Sequence, residues 1–301
     1  MIDAHKLKGV FPPVPTPFDN NGAIYKEGFR QNFEFWNQHD LSGYLILGSN
    51  GEAVLLNSTE KASLFEAARR NIPDNKLMLI GTGSQSTRET IALTITGASI
   101  GADAAVVLSP FYYKGLMTQG VLVKHFHSVA DASTIPVIIY NMPACTGIDL
   151  SAETIAAIAD HDNIIGLKDS GGNMVKMQQI RTLIDKPFSI LAGSGSFLLP
   201  GLAVGAKGGI LALSNIAPQY CCRLYDLFRK GEMKAATSLQ NRLTPLNSAI
   251  TSRWGVPALK AAMEMMDLYG GPVREPLLDF DESLKPALKE IINKALNGDA
   301  N

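Results

Sequence analysis

Residues 164–172 read IIGLKDSGG, and Lys168 stands apart from the apolar residues that precede it. Ile164–Leu167 has the unbroken apolarity of a buried strand, and the Asp169-Ser170-Gly171-Gly172 run reads as a tight turn opening a helix. The strand delivers a lysine at its carboxyl end. Burial lowers an ammonium pKa, and a neutral amine attacks a ketone to make a Schiff base. On this stretch alone a second reading stands equally: Lys168 pairs with a carboxylate such as Glu52. The preceding apolar run, Val137–Tyr140, ends in a phenol and is followed by Asn141-Met142-Pro143. Tyr140 and Lys168 close adjacent predicted strands, so both can enter one pocket. A phenol beside an amine suits the proton movements of Schiff-base formation and carbon–carbon cleavage.

Such residues need a scaffold that brings strand ends together. Short apolar runs recur at Gly9–Val14 (broken by Pro12 and Pro13), Gly43–Leu47, Leu77–Gly81, Ala104–Leu108, Val137–Tyr140, Ile164–Lys168, Ser189–Ala192 and Gly209–Ala212. Continuous rather than alternating apolarity marks strands buried on both faces, as in parallel sheets. Helical segments lie between them. Ser58 is the expected cap of one, with Lys61 where a capping box has Glu. Ser86–Ile100 carries Ile91, Ile95 and Ala98 on one face and stops at Gly101, and Ser151 caps Ala152–Ala159, with Ile155, Ile158 and Ala159 inward.

Eight runs alternating with helices predict an α/β fold, a (β/α)8 TIM barrel. The runner-up, an open doubly wound sheet, lacks its GxGxxG turn; Gly81-Thr82-Gly83 comes nearest. Residues 1–216 reach the eighth strand. Residues 217–301 supply the last barrel helix and a C-terminal helical extension, read as Ala217–Arg229, Glu232–Ile250, Val256–Tyr269 and Ser283–Leu296, within a single structural unit.

Active sites of such barrels lie at the carboxyl ends of the strands. After the second run, Gly48-Ser49-Asn50-Gly51-Glu52 is either an ordinary tight turn or a small nest of N–H groups and a hydroxyl sized for a carboxylate. After the fourth run, Phe111-Tyr112-Tyr113 is either packing or a source of a proton-relaying phenol. Of the histidines, only His125 and His127 approach a ligand spacing, and that pair falls inside a helix and reads as surface, so no metal site is expected.

Composition excludes several classes. The chain has 301 residues, 46% hydrophobic, with net charge −1 and no block of like charge, which removes the electrostatic case for nucleic acid or membrane surfaces. No apolar run reaches transmembrane length and the first residues lack a signal-peptide core. Cys145, Cys221 and Cys222 make no disulfide framework, which fits a reducing, cytoplasmic compartment.

Five motifs in order, GSNGE (48–52), SPFYY (109–113), YNMPACTG (140–147), GLKDSGG (166–172) and LAGSGSFLL (191–199), resemble the dihydrodipicolinate synthase and N-acetylneuraminate lyase superfamily, from about Gly9 to Leu277. The resemblance implies a barrel whose lysine forms a Schiff base with pyruvate or another 2-oxo acid, without a cofactor. It implies Lys168 as that lysine, Tyr140 as the proton-shuttling tyrosine, and Gly48, Ser49 and Asn50 as the turn that holds the carboxylate. Tyr112 matches a second tyrosine that often crosses a subunit interface, since members are usually homotetramers built from dimers. One position departs from the lysine-biosynthetic synthases: where they carry an arginine that grips a carboxylate, this chain has Cys145. A neutral thiol makes no bidentate clamp. GSNGE, the tyrosine pair, KDSGG and YGGPVREPL (269–277) instead look like 4-hydroxy-2-oxoglutarate aldolase and its bacterial relatives, with Ser170 lining the pocket for the rest of the substrate.

The function expected is a class I aldolase that cleaves or forms a 2-oxo acid, releasing pyruvate and an aldehyde such as glyoxylate. The alternatives are dihydrodipicolinate synthesis, a sugar-acid aldolase or dehydratase of the same superfamily, and a barrel that binds a small carboxylate without turnover.

Overall fold

The computed structural model describes residues 2–296. Eight parallel strands form one sheet: β1 (Gly9–Phe11), β2 (Gly43–Ile46), β3 (Leu77–Gly81), β4 (Ala104–Leu108), β5 (Val137–Asn141), β6 (Ile164–Asp169), β7 (Ser189–Ala192) and β8 (Gly208–Ile210). Between them run α1 (Lys26–Trp36), α2 (Ser58–Asn71), α3 (Thr87–Ile100), α4 (Gln119–Ala132), the one-turn α5 (Pro143–Thr146), α6 (Ala152–Ala159), α7 (Met174–Leu183) and α8 (Leu198–Ala203). After β8 come α9 (Pro218–Arg229), α10 (Met233–Ser248), α11 (Gly255–Glu264) and α12 (Lys285–Leu296).

Neighbours from β2 to β8 pair in chain order, and β1 pairs with β8. The remaining seam, β1 against β2, is irregular because Pro12 and Pro13 have no N–H to give. There Leu45 N–H donates to the Pro12 carbonyl and Val14 N–H to the Leu45 carbonyl, each at 2.9 Å. These bonds close the sheet into a TIM barrel, with helices surrounding it. The eighth strand starts at Gly208 and ends at Ile210, two residues short of the expected Ala212, because the chain winds into a 3-10 turn over Ala212–Asn215.

Two apolar layers hold the barrel. Inside it lie Phe11, Leu45, Leu79, Val106, Ile138, Leu191 and Ile210, fully buried residues of every strand except β6, which adds only the partly buried Ile165. Leu167 of β6 belongs instead to the outer layer between strands and helices. The reason is a bulge. Val137 pairs with Ile164, but Ile138 pairs with Gly166, so Ile165 is an extra residue. Side chains alternate along a strand, and one inserted residue reverses every later face. Ile165 packs on the inner layer. Counted by twos from it, Leu167 would face inward and Lys168 outward; the bulge inverts this and sends Lys168 into the barrel. Gly166 fits the bend because a Cβ there would sit 2.6 Å from the Ser189 carbonyl oxygen and 2.9 Å from Leu7 Cδ2.

Local expectations differ at several points. The α2 cap is Asn57, not Ser58: Asn57 Oδ1 accepts from Glu60 N–H and Glu60 Oε2 accepts from Asn57 N–H, both at 2.9 Å. Counting from the true cap puts Glu60, not Lys61, at the third position of the capping box. In α3 the buried residues are Thr90, Leu93, Thr94 and Gly97, while Ile95 is 49% exposed. Thr94 is drawn inward by a 2.8 Å hydrogen bond to Thr82, so polar residues occupy the face that apolar spacing alone assigns elsewhere. His125 is not a surface residue: it is buried, and its Nδ1 lies 2.8 Å from Thr87 Oγ1. His127 is half-buried and meets the Ile158 carbonyl at 3.1 Å, so the two rings serve different faces of α4. α10 stops at Ser248 and passes into a π-helical turn over Ala249–Arg253, close behind Pro245.

α10 also grips the turn after β7. Gln240 Nε2 donates to the Gly195 carbonyl at 2.8 Å, and Asn247 Nδ2 donates to Ser194 Oγ at 2.9 Å and Ser196 Oγ at 2.8 Å. No helix among the described residues is long and apolar enough to cross a membrane.

Candidate active site

Tyr140 and Lys168 are direct register partners at the carboxyl ends of β5 and β6. Both are buried, at 5% and 3% exposure, and Lys168 Nζ lies 3.9 Å from the centre of the Tyr140 ring. Among the described residues Lys168 has no ion pair. The carboxylate offered to it by the alternative reading, Glu52, is taken by Lys260 Nζ at 2.6 Å, off the hydrogen-bond direction and with both side chains almost wholly buried. Lys168 is thus a buried amine against an aromatic face, not half of a salt bridge.

The Tyr140 hydroxyl reaches Ser49 Oγ at 3.3 Å, which joins the phenol to the turn after β2. That turn is a 3-10 helix over Ser49–Gly51, headed by Gly48 and ended by Glu52 at φ 54. Gly51 and Glu52 N–H close it on the Gly48 and Ser49 carbonyls, at 3.0 and 3.1 Å. The N–H groups of Ser49 and Asn50 stand at its amino end, where a helical turn leaves donors unpaired. Glu52 fixes the far end: its Oε2 accepts from Arg274 N–H at 2.8 Å. The Arg274 guanidinium in turn meets Glu60 and lies 4.3 Å above the Phe18 ring. Burial holds the Lys260 ammonium below its usual range even though Glu52 opposes the shift.

Behind the pair, on the helix side of the strands, the residues after Tyr140 and Lys168 form a buried polar cluster. Asn141 Nδ2 donates to Asp169 Oδ1 at 2.7 Å and to Asp149 Oδ1 at 2.8 Å, while Asn141 Oδ1 accepts from Leu150 N–H at 3.0 Å. Asp169 Oδ2 accepts from Gly172 N–H at 3.2 Å, and the Lys176 ammonium contacts Asp149 and lies 3.7 Å from Asp169. Burial pushes the Asp149 carboxyl up, but Lys176 and Asn141 outweigh it and leave it below its usual range. Period-two alternation makes this arrangement possible: the inward residue of each strand is the reactive one, and its outward neighbour locks the strand ends together. The sequence reading does not find Asn141 and Asp169 as positioning residues; a polar residue directly after each of two apolar runs is the available signal.

Ser170 follows on the same turn. Its N–H donates to the Asn141 carbonyl at 2.9 Å, and a Cβ at residue 193 would sit 2.1 Å from Ser170 Oγ, so Gly193 makes room for the hydroxyl. Cys145, on α5, feels the charge of Lys168: burial raises its thiol pKa and Lys168 opposes the rise. Tyr112 is not brought to this cluster. It is 75% exposed and stacks edge-on against Tyr113, with ring centres 5.1 Å apart. Its loop is fixed by Gln85, also missed in the sequence, whose Oε1 accepts from Phe111 and Tyr112 N–H at 2.8 Å each.

A profile of the dihydrodipicolinate synthetase family matches residues 6–295. The chain belongs to this family. It is 32% identical over 298 residues to a 4-hydroxy-tetrahydrodipicolinate synthase from Methanothrix thermoacetophila, covering 97% of this chain and 99% of that one. It is 34% identical over 301 residues to the Emericella nidulans protein named "Probable 4-hydroxy-2-oxoglutarate aldolase, mitochondrial", covering 98% and 97%. A crystal structure of a prophage protein of the dihydrodipicolinic acid synthase family from E. coli K12, in complex with pyruvate, superposes with a TM-score of 0.90 at 30% identity over 96% of this chain and 98% of that one. The chain is an aldolase or synthase of the dihydrodipicolinate synthetase family, and its relatives divide between the two activities.

Proposed function

We propose that this family member is a Schiff-base (class I) lyase that cleaves or forms a 2-oxo acid, with pyruvate as one product and an aldehyde such as glyoxylate as the other. The observation that carries the reading is the buried, unpaired Lys168 amine 3.9 Å from the Tyr140 ring. In the cleavage direction, the Lys168 amine adds to the ketone carbon and the carbinolamine loses water to give an iminium. The bond between the third and fourth carbons breaks, its electron pair flows into the iminium to form an enamine, and the hydroxyl on the fourth carbon loses its proton as the aldehyde forms. Protonation of the enamine and hydrolysis release pyruvate and restore the amine. Tyr140 is the acid and base for these transfers, with Ser49 Oγ as its hydrogen-bond partner. Ser49, Asn50 and the Gly48 turn hold the carboxylate, and Ser170 lines the remainder of the pocket.

Cys145 stands where the resemblance places a carboxylate-gripping arginine in the lysine-biosynthetic synthases, and this departure from their pattern tells against dihydrodipicolinate synthesis. Several relatives are named 4-hydroxy-tetrahydrodipicolinate synthase, which supports the synthase as the second reading. Exposed Tyr112 and Tyr113, together with Val54 at 82% exposure and Leu116 at 67%, suit a face covered by a second copy of the chain, as a homodimer or homotetramer requires.

Two measurements test the proposal. Borohydride reduction in the presence of pyruvate should add one reduced pyruvyl group, mapped to Lys168; an unmodified lysine would overturn covalent catalysis. Pyruvate release from 4-hydroxy-2-oxoglutarate should exceed condensation of pyruvate with aspartate semialdehyde, and the reverse ranking would select the synthase reading.

A further inference from the structure

A cavity of about 470 Å³ opens at the amino-terminal end of the barrel, opposite Lys168. Its charged lining is entirely basic: Lys8 before β1, Arg181 of α7, Lys186 before β7 and Lys207 before β8, with His5 beside them and no carboxylate among the lining residues. Apolar walls come from Ile180, Ile184 and Phe188. The chain as a whole has 27 lysines and arginines against 28 aspartates and glutamates, so this clustering is local.

The topology forces part of the crowding. Gly9 and Gly208 are register partners of β1 and β8, and Lys8 and Lys207 immediately precede them. Two ammonium groups are therefore rooted side by side on adjacent strands, and neither has a hydrogen-bond or ion-pair partner among the described residues. Like charges rooted on neighbouring positions repel, and an anion bound between them relieves the repulsion. A third cation is fixed beside them: the Arg181 guanidinium donates to the Val204 carbonyl at 3.2 Å. Lys186 is partly spent elsewhere, donating to the His161 carbonyl at 2.6 Å and facing Asp160 and Asp162. Lys8, Arg181 and Lys207 are the ones left to hold a ligand.

We propose that this cavity binds a small phosphate-bearing anion at a site separate from the catalytic mouth. A phosphate group presents several strong acceptor oxygens at once, which suits one guanidinium and two ammonium groups better than a single carboxylate does. The volume accommodates a diphosphate or a phosphate ester, and the apolar wall suits the ester's carbon portion.

Pyrophosphate is the probe. Calorimetric titration of the intact protein at fixed ionic strength should give saturable binding, with inorganic phosphate weaker and chloride without effect. The Lys8→Ala/Lys207→Ala variant should bind pyrophosphate at least about tenfold more weakly. Both side chains are exposed, so this variant should unfold at the same temperature as the parent protein or higher when no anion is present, because a repulsion has been removed. Arg181→Gln provides a second variant with the same expected loss. Absence of saturable binding, an equal response to chloride, or undiminished binding by both variants would overturn the proposal.

Discussion

Two side chains set the chemistry at the scale of single residues. Tyr140→Phe keeps the ring beneath Lys168 and removes the hydroxyl that meets Ser49. It should lower kcat by about 10²–10⁴-fold while pyruvate still forms the borohydride-trappable adduct, read by steady-state kinetics and mass spectrometry. A rate equal to the parent's would remove the phenol from the mechanism. His125 acts on stability instead. Burial pushes its pKa down to about 4 from the ordinary 6.5, so the folded protein keeps it neutral. The unfolded chain binds this proton first as pH falls. Its contribution is thus intact above about pH 6.5 and erodes toward pH 4, by about 3 kcal/mol in total. Urea unfolding between pH 7 and 4.5 should show a steeper loss in the parent than in His125→Gln. Parallel curves would show that His125 is not the group responsible.

At the scale of elements, the ends of β5 and β6 decide whether the two reactive groups meet. Gly166→Ala puts a methyl 2.6 Å from the Ser189 carbonyl oxygen and so strains the bulge that turns Lys168 inward. It should destabilise the fold by about 1–3 kcal/mol and lower activity beyond what lost stability explains, measured by denaturant titration alongside kcat. Asn141→Ala removes the donor to Asp149 and Asp169 and the acceptor of Leu150 N–H. The strand ends then lose their lock, and kcat should fall by about 10²-fold with a smaller change in KM. A pure KM effect would show that Asn141 does not position the pair. The bulge explains why the sequence places Lys168 at a strand end but is silent on its direction. An extra residue in an apolar run leaves no mark in composition or period, since Ile164 and Ile165 are both acceptable on either face.

At the scale of the whole molecule, the C-terminal helices reach back to the mouth. Lys260 of α11 pairs with Glu52, and Arg274 holds the other Glu52 oxygen through its N–H. Lys260→Met leaves a buried carboxylate unpaired and should cost about 3–5 kcal/mol in chemical denaturation, whereas Glu52→Leu/Lys260→Met should recover much of that loss. Because Glu52 ends the Ser49–Gly51 turn, the double variant should still bind pyruvate more weakly than the parent. Equal stability of the single and double variants would deny the pairing its role.

The sequence by itself determined the barrel, the eight runs that build it, and the residues standing at their ends. It could do so because apolar period and turn chemistry are local, and parallel strands buried on both faces leave few other folds for such a chain. Only the tertiary structure decided which carboxylate met which amine, which way Lys168 faced, and where Asn141, Asp169 and Gln85 acted. Those outcomes depend on strand register and on contacts between residues far apart in the chain, such as Glu52 with Lys260, and a pattern read along one strand carries no information about its neighbour's register.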